Sequence, residues 1–297
     1  MTAPLRIGIV VTDTYTIEDP DHDTPLLLKA LQDRNVEATA VVWHRHDDLA
    51  SFDLLVIRSP WDYPDRPEEF AAWLDRAGAA TRVVNSPAVV RWNLDKRYLS
   101  DLAQVGVPVV PTDYATSGRE AQRALAAPSH ARVVVKPAVS AGARDTGLFD
   151  ATDPAALALA ERITSAGGIA MIQPEVPELT AGAEKALYVI DGHFTHAIAK
   201  GALLAPGGGL LGGVYVEHPE LVEASEQERA FADATLRAVA RVTGQDVPLY
   251  ARVDTVDSVT HGLVALEVEM IEPALNLHIA GHVIDTVADA ILRAARH

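Results

Sequence analysis

Short apolar runs and amphipathic stretches alternate along the first third of the chain. "RIGIVV" at residues 6–11 and "FDLLVIRS" at 52–59 are β-type runs, and between them "TPLLLKALQDR" places its apolar residues at helical spacing. A third apolar piece, "RVVNSP" at 82–87, follows the helix-like "RPEEFAAWLDRAG". This order predicts a small α/β domain with a parallel sheet over roughly the first ninety residues. Ligands of such sheets lie beyond the carboxyl ends of strands. The second run ends in "RSPWDYP", which makes Arg58, Trp61, Asp62 and Tyr63 candidate ligand residues.

From "NLDKRYLSDLAQVGVPVVPT" the texture changes. Helical spacing predicts a helix over about 93–105, ending at Gly106 in a left-handed cap, with Pro108 and Pro111 preventing its continuation. An alanine-rich helix is expected over 153–166. "KALYVIDGHFTHAIAKGAL" predicts a hairpin turned at Asp191-Gly192. "PGGGLLGG" at 206–213 reads as a flexible loop, "SEQERAFADATLRAVARVTG" as a helix, and "LYARVDTVDSVTHGLVALEVEMI" as a second antiparallel hairpin.

The last strand raises a chemical question. Residues two apart on a strand share a face, so Glu267 and Glu269 lie side by side, with Leu266, Val268 and Met270 assigned to the opposite, core face. Two neighbouring carboxylates repel unless a cation or several donors compensate them. Asp254 sits on the paired strand, so three carboxylates can converge across one hairpin and suit Mg²⁺, which completes its shell with water and nucleotide phosphate. A solvated polar face is the plainer alternative.

Composition narrows the classes. The 297 residues suit two or three small domains, and a net charge of −16 argues against sequence-blind binding of nucleic acid or anionic membranes. No segment reaches membrane-spanning length and there is no cysteine, so disulfides, thiolate catalysis and Cys-ligated metals are excluded and a cytoplasmic location is expected.

The acidic hairpin resembles that of the ATP-grasp carboxylate–amine ligases, which include glutathione synthetase and D-alanine–D-alanine ligase. Their Arg-x-Asp strand followed by a strand ending Glu-x-Asn is matched by Arg252, Asp254, Glu267 and Glu269, with Glu in place of the usual Asn. The resemblance implies an ATP-grasp fold of class α/β, in which a parallel α/β domain at 1–91 is followed by α+β subdomains at 92–175 and 176–297 that clamp ATP. It makes ATP and Mg²⁺ the cofactors, Asp254, Glu267 and Glu269 the metal ligands, and Arg252, Lys200 and Lys136 the catalytic cations. Lys96, Lys136 and the loop "SAGARDTG", with Ser140, Gly142 and Ala143 and further donors from Arg144 and Thr146, would hold the phosphates. Gln173, Glu175 and Val176 of "MIQPEVPE" would meet adenine in a slot helped by Met171, Ile172 and Leu266, and Glu178 or Glu184 would meet ribose and phosphate.

Substrate contacts are expected from Arg58, Trp61, Asp62, Tyr63, Lys185, Glu272 and Asn276, while His193 and His196 read as structural or surface residues. The motif set "RSPWDY", "NLDKRYL", "VVVKPAVSAGA", "HAIAK" and "EVEMIEPAL" is similar to the O-ureido-D-serine cyclo-ligase branch of the family. That implies a small amino-acid substrate, activated as an acyl phosphate and closed to D-cycloserine, and a homo-oligomer. A two-substrate amide ligase and a catalytically silent nucleotide-binding module are the alternatives.

Overall fold

The computed structural model describes residues 4–15, 20–126, 131–140, 142–205, 207–211 and 218–296. Of the loop expected at 206–213, Pro206, Gly212 and Gly213 lie outside the described residues. The first unit comprises β1 (Arg6–Val11), α1 (Asp23–Gln32), β2 (Glu37–Val42), β3 (Leu54–Ser59), α2 (Pro67–Ala80) and β4 (Val83–Val84). Its strands form a parallel sheet in the order β2-β1-β3-β4. All of β3 and all but the first residue of β1 are buried, as central parallel strands covered on both faces must be. Gly8 allows this packing, since a Cβ there would lie 2.6 Å from Leu55 Cδ2. Strand β2 is an addition to the expected order. It is a sheet edge with only Ala38 and Val41 buried, too few for a clear apolar run.

Of the helix expected over 93–105 only α4 (Tyr98–Gln104) forms, and it is preceded by a short helix the sequence reading did not include, α3 (Pro87–Asn93). The Asp95 carboxylate accepts from the Arg97 amide at 2.9 Å, and the Lys96 amide donates to the Ala138 carbonyl at 2.8 Å, so residues 94–97 are held out of helix register. The central unit follows: β5 (Asp113–Ala115), α5 (Gly118–Leu125), β6 (Arg132–Pro137), β7 (Gly147–Asp150), α6 (Pro154–Ser165) and β8 (Ala170–Pro174). Its antiparallel sheet runs β5-β8-β6-β7. Val133 and Val135 bury against Ala121, Ala156, Leu159 and Ala160 of the two helices, so alternation turns Val134 and Lys136 to the other face.

The rest comprises α7 (Pro177–Thr180), β9 (Lys185–Ile190), β10 (His193–Ala199), β11 (Glu220–Val222), α8 (Glu226–Thr243), β12 (Tyr250–Ser258), β13 (Gly262–Glu269) and α9 (Ile284–Arg296). The third sheet is antiparallel in the order β11-β10-β9-β12-β13. Asp191 and Gly192 both have positive φ, 51° and 76°, as a tight two-residue hairpin turn requires. Helix α8 opens with a Ser225/Glu228 capping box and stops at left-handed Gly244. Val89, Tyr98, Leu99 and Leu102 of α3 and α4 pack into the core beneath this sheet with Leu236 and Val239. A second core joins Leu27 and Leu31 of α1 to Tyr188, Val287 and Ile291, fusing the first and third units. Among the described residues no helix is long and apolar enough to cross a membrane.

Candidate active site

A cavity of about 820 Å³ is lined by residues of all three units. Its centre is the β12–β13 hairpin. Arg252 faces Glu269 across the ladder and Asp254 faces Glu267, so the four groups form a square on one face of the sheet. One carboxylate oxygen from each of Asp254, Glu267 and Glu269 lies within 4.8 Å of the others. Cations surround the square. Arg252 reaches Asp254 at 2.7 Å and Glu269 at 2.5 Å, Lys96 Nζ lies 3.1 Å from Glu267, and Lys200 Nζ lies 3.2 Å from Asp254 and 3.0 Å from Glu184.

These groups do not neutralise one another evenly. Burial would raise both Asp254 and Glu267, but Arg252 and Lys200 hold the first below the usual carboxylate range and Lys96 and Lys136 do the same for the second. Glu269 is pushed up to about 8 by burial, which Arg252 only partly offsets, with Glu267 and Asp254 adding to the rise. Three converging oxygens, one of which holds a proton until more positive charge arrives, match what a divalent hard cation supplies.

The register slips between Asp254 and Thr255, leaving Leu266 as the extra residue of a bulge. It therefore lines the cavity, whereas strict alternation had placed it on the core face with Val268 and Met270. With Val110, Val134, Leu148, Val176 and Leu179 it forms an apolar slot beside Gln173 and Glu175. Met171 and Ile172, expected in that slot, are instead sealed in two separate cores on opposite faces of β8. Gln173 donates to Thr112 at 2.9 Å and Glu175 pairs with Arg132 at 2.8 Å. Of the two glutamates expected near ribose, Glu184 lines the cavity. Glu178 accepts from the Val259 amide at 3.0 Å at the tip of the hairpin and does not.

At the end where phosphates were expected, Lys136 reaches the cavity, its pKa lowered by burial, and Lys96 Nζ donates to the Ser140 carbonyl at 2.6 Å. Ser140, Gly142, Ala143, Arg144 and Thr146 line the rim, with Gly142 and Ala143 in left-handed backbone and Arg144 2.6 Å from Asp65 of the first unit.

The opposite end is closed by the first unit. Trp61 and Asp62 line it, and the Trp61 indole donates to the Glu272 carbonyl at 3.1 Å. Glu272 and Asn276 line it too. Burial pushes Glu272 up to about 7, although the Tyr63 hydroxyl donates to it. Tyr63 and Arg58 do not line the cavity. They stand behind it, Arg58 donating to the Pro273 carbonyl and lying over the Tyr250 ring at 4.7 Å. Lys185 is turned away, 2.9 Å from Glu228 of α8. His196 is buried and pushed down to about 4 by desolvation, so it stays neutral. Sequence reading missed the rest of this wall: Thr14, Tyr15, Asp21, His22 and Asp23. The rule that ligands gather past strand carboxyl ends applies to β1 as much as to β3 and would have found them.

With that geometry in place, similarity to known proteins becomes informative. The N-terminal domain profile of D-cycloserine synthetase DcsG matches residues 7–85. The cycloserine biosynthesis protein DcsG of Streptomyces lavendulae is 36% identical over 284 residues, covering 91% of this chain and 93% of that protein. This chain belongs to the D-cycloserine synthetase family of ATP-grasp ligases. The crystal structure of D-cycloserine synthetase DcsG superposes with a TM-score of 0.89 at 32% identity, over 98% of this chain and 99% of that one. More distantly, the ATP-grasp ligase PsnB, solved with a minimal precursor, Mg and ADP, shares the fold at a TM-score of 0.63 and 18% identity, over 98% of each chain. As a member of the D-cycloserine synthetase family the protein is an ATP-dependent enzyme that forms carbon–nitrogen bonds.

Proposed function

We propose that this enzyme closes O-ureido-D-serine to D-cycloserine at the cost of one ATP. The observation that carries the reading is the cavity itself, in which the end floored by Lys96, Lys136 and the three carboxylates is continuous with an end walled by Tyr15, Trp61, Glu272 and Asn276. The second end would take one amino-acid derivative. Membership of the D-cycloserine synthetase family supports cycloserine as the product.

Adenine would lie in the apolar slot, with Gln173 and Glu175 at its edge, and the phosphates would run toward Lys96, Lys136 and the 140–146 loop. Asp254, Glu267 and Glu269 would hold Mg²⁺, which when bound neutralises phosphate charge and orients the terminal phosphoryl group. The substrate carboxylate attacks that phosphoryl group, ADP leaves and an acyl phosphate forms. Arg252 and Lys200 stabilise the charge that moves between the oxygens. The ureido nitrogen bonded to oxygen then attacks the activated carbonyl within the same molecule. Phosphate leaves and the ring closes. The balance requires that the carbamoyl group be hydrolysed, leaving as ammonia and carbon dioxide. An intramolecular nucleophile brings a large effective molarity and needs no second amino-acid pocket. We place the reaction in the cytoplasm, where ATP is supplied.

The test is phosphate release from Mg·ATP with O-ureido-D-serine as sole acceptor, following the organic product by mass. Cycloserine is the expected product. Phosphate release only when two amino acids are present would move the enzyme to intermolecular ligation.

A further inference from the structure

Asn276 enters the cavity in left-handed backbone, φ 53°, and is only 6% exposed. Its neighbours are pinned. The Asp23 carboxylate accepts from the Leu275 amide at 2.5 Å and from the Leu277 amide at 2.8 Å, fixing the residue between them. The side chain is then turned one way by Tyr188. The Tyr188 hydroxyl lies 2.9 Å from the Ala274 carbonyl, which can only accept, so the phenolic proton points there and an oxygen lone pair remains. That lone pair takes an N–H from Asn276 Nδ2 at 3.0 Å. The hydrogen-bond network thus decides the amide orientation. The Tyr188 ring is itself held flat against His196, centroids 4.1 Å apart and planes 5° from parallel, while His196 Nε2 bonds the Leu275 carbonyl at 2.9 Å.

Asn276 Oδ1 is left with no protein donor among the described residues, on a side chain whose remaining exposure is to the cavity. A cationic group at this end has Glu272 and Asp21 to choose. A neutral carbonyl oxygen instead complements a neutral N–H. We propose that Asn276 Oδ1, oriented by Tyr188, accepts from the terminal amino group of the substrate's ureido function and selects against side chains lacking that donor. The inference rests on the proposed substrate. An analogue without the N–H would leave a buried acceptor unpaired, which a site built for the donor rejects.

The experiment compares kcat/KM, by ADP release, for O-ureido-D-serine and for its O-acetamido analogue, in which a methyl replaces the terminal amino group at nearly equal size. The wild type should prefer the ureido compound by roughly ten- to a hundredfold. In Asn276→Ala the preference should fall to about twofold, and in Tyr188→Phe to an intermediate value, with the KM for ATP unchanged in both. An Asn276→Ala enzyme that keeps its ATP KM and the full preference would overturn the assignment. A wild type that releases cycloserine but shows no preference would do so too, leaving the reaction standing. A wild type inert toward O-ureido-D-serine would remove both readings.

Discussion

At position 269 a carboxylate stands where the family pattern has asparagine, 2.5 Å from Arg252 and beside two further acids. A pKa pushed up to about 8 would make the proposed metal binding a proton-linked event. Below that value Mg²⁺ must displace a proton, so its affinity should rise by up to tenfold per pH unit toward 8 and then level off; calorimetric titration at several pH values would read this, and Glu269→Asn should flatten it. Stability of the metal-free protein moves the other way. A carboxyl raised from 4.5 to about 8 binds a proton in the folded state that the unfolded chain has released, so its contribution is full below 4.5 and is lost as pH climbs through 8. Glu267 has a different role, because Lys96 and Lys136 keep it ionised. Glu267→Gln should cut turnover by at least about a hundredfold while the thermal midpoint stays near that of the wild type, since the amide retains the shape and loses the metal charge. The acidic hairpin was legible in the sequence because juxtaposed carboxylates need a reason. Leu266 was only half legible, since a bulge shifts facing by one residue and leaves no mark in the alternation before it.

Among the elements, β13 is an edge strand of its sheet, and its outer hydrogen-bonding groups beside Glu267 and Glu269 are buried and met by side chains rather than by another strand. Asn93 donates to the Val268 carbonyl at 2.7 Å and accepts from the Met270 amide at 2.9 Å, while the Tyr98 hydroxyl accepts from the Val268 amide at 2.8 Å. Such an edge would otherwise invite pairing with another chain. Asn93→Ala leaves two buried backbone groups unpaired and should destabilise the fold by about 2–4 kcal/mol, seen as a lower urea midpoint. This explains the split between α3 and α4. Asn93 ends the first helix, Tyr98 begins the second, and the four residues between them carry Lys96 to the cavity. Sequence predicts the helix to start at about 93; it starts at Tyr98 because a long-range bond from the Lys96 amide to Ala138 holds residues 94–97 out of helix register. The Asp191-Gly192 hairpin and the α8 caps were legible because their determinants are local.

For the molecule as a whole, a chain of net charge −16 gathers Lys96, Lys136, Lys200 and Arg252 at one cavity, and on the proposed function this is where it would receive a polyanionic nucleotide. The order of units was readable from apolar periodicity. Which units share a core was not, because the contacts of Leu27 and Leu31 with Val287 and Ile291 span most of the chain and depend on three-dimensional closure. The same closure sets Trp61 edge-on to Tyr15, ring centroids 5.5 Å apart, on the cavity wall. Trp43 and Trp73 are sealed in the core, and the Trp92 indole is tied to Asp101 at 2.9 Å. Trp61 therefore stands alone among the four indoles as a chromophore in the cavity wall, and on the proposed function its emission should shift when the amino acid binds, a native optical reporter that needs neither a label nor a completed turnover.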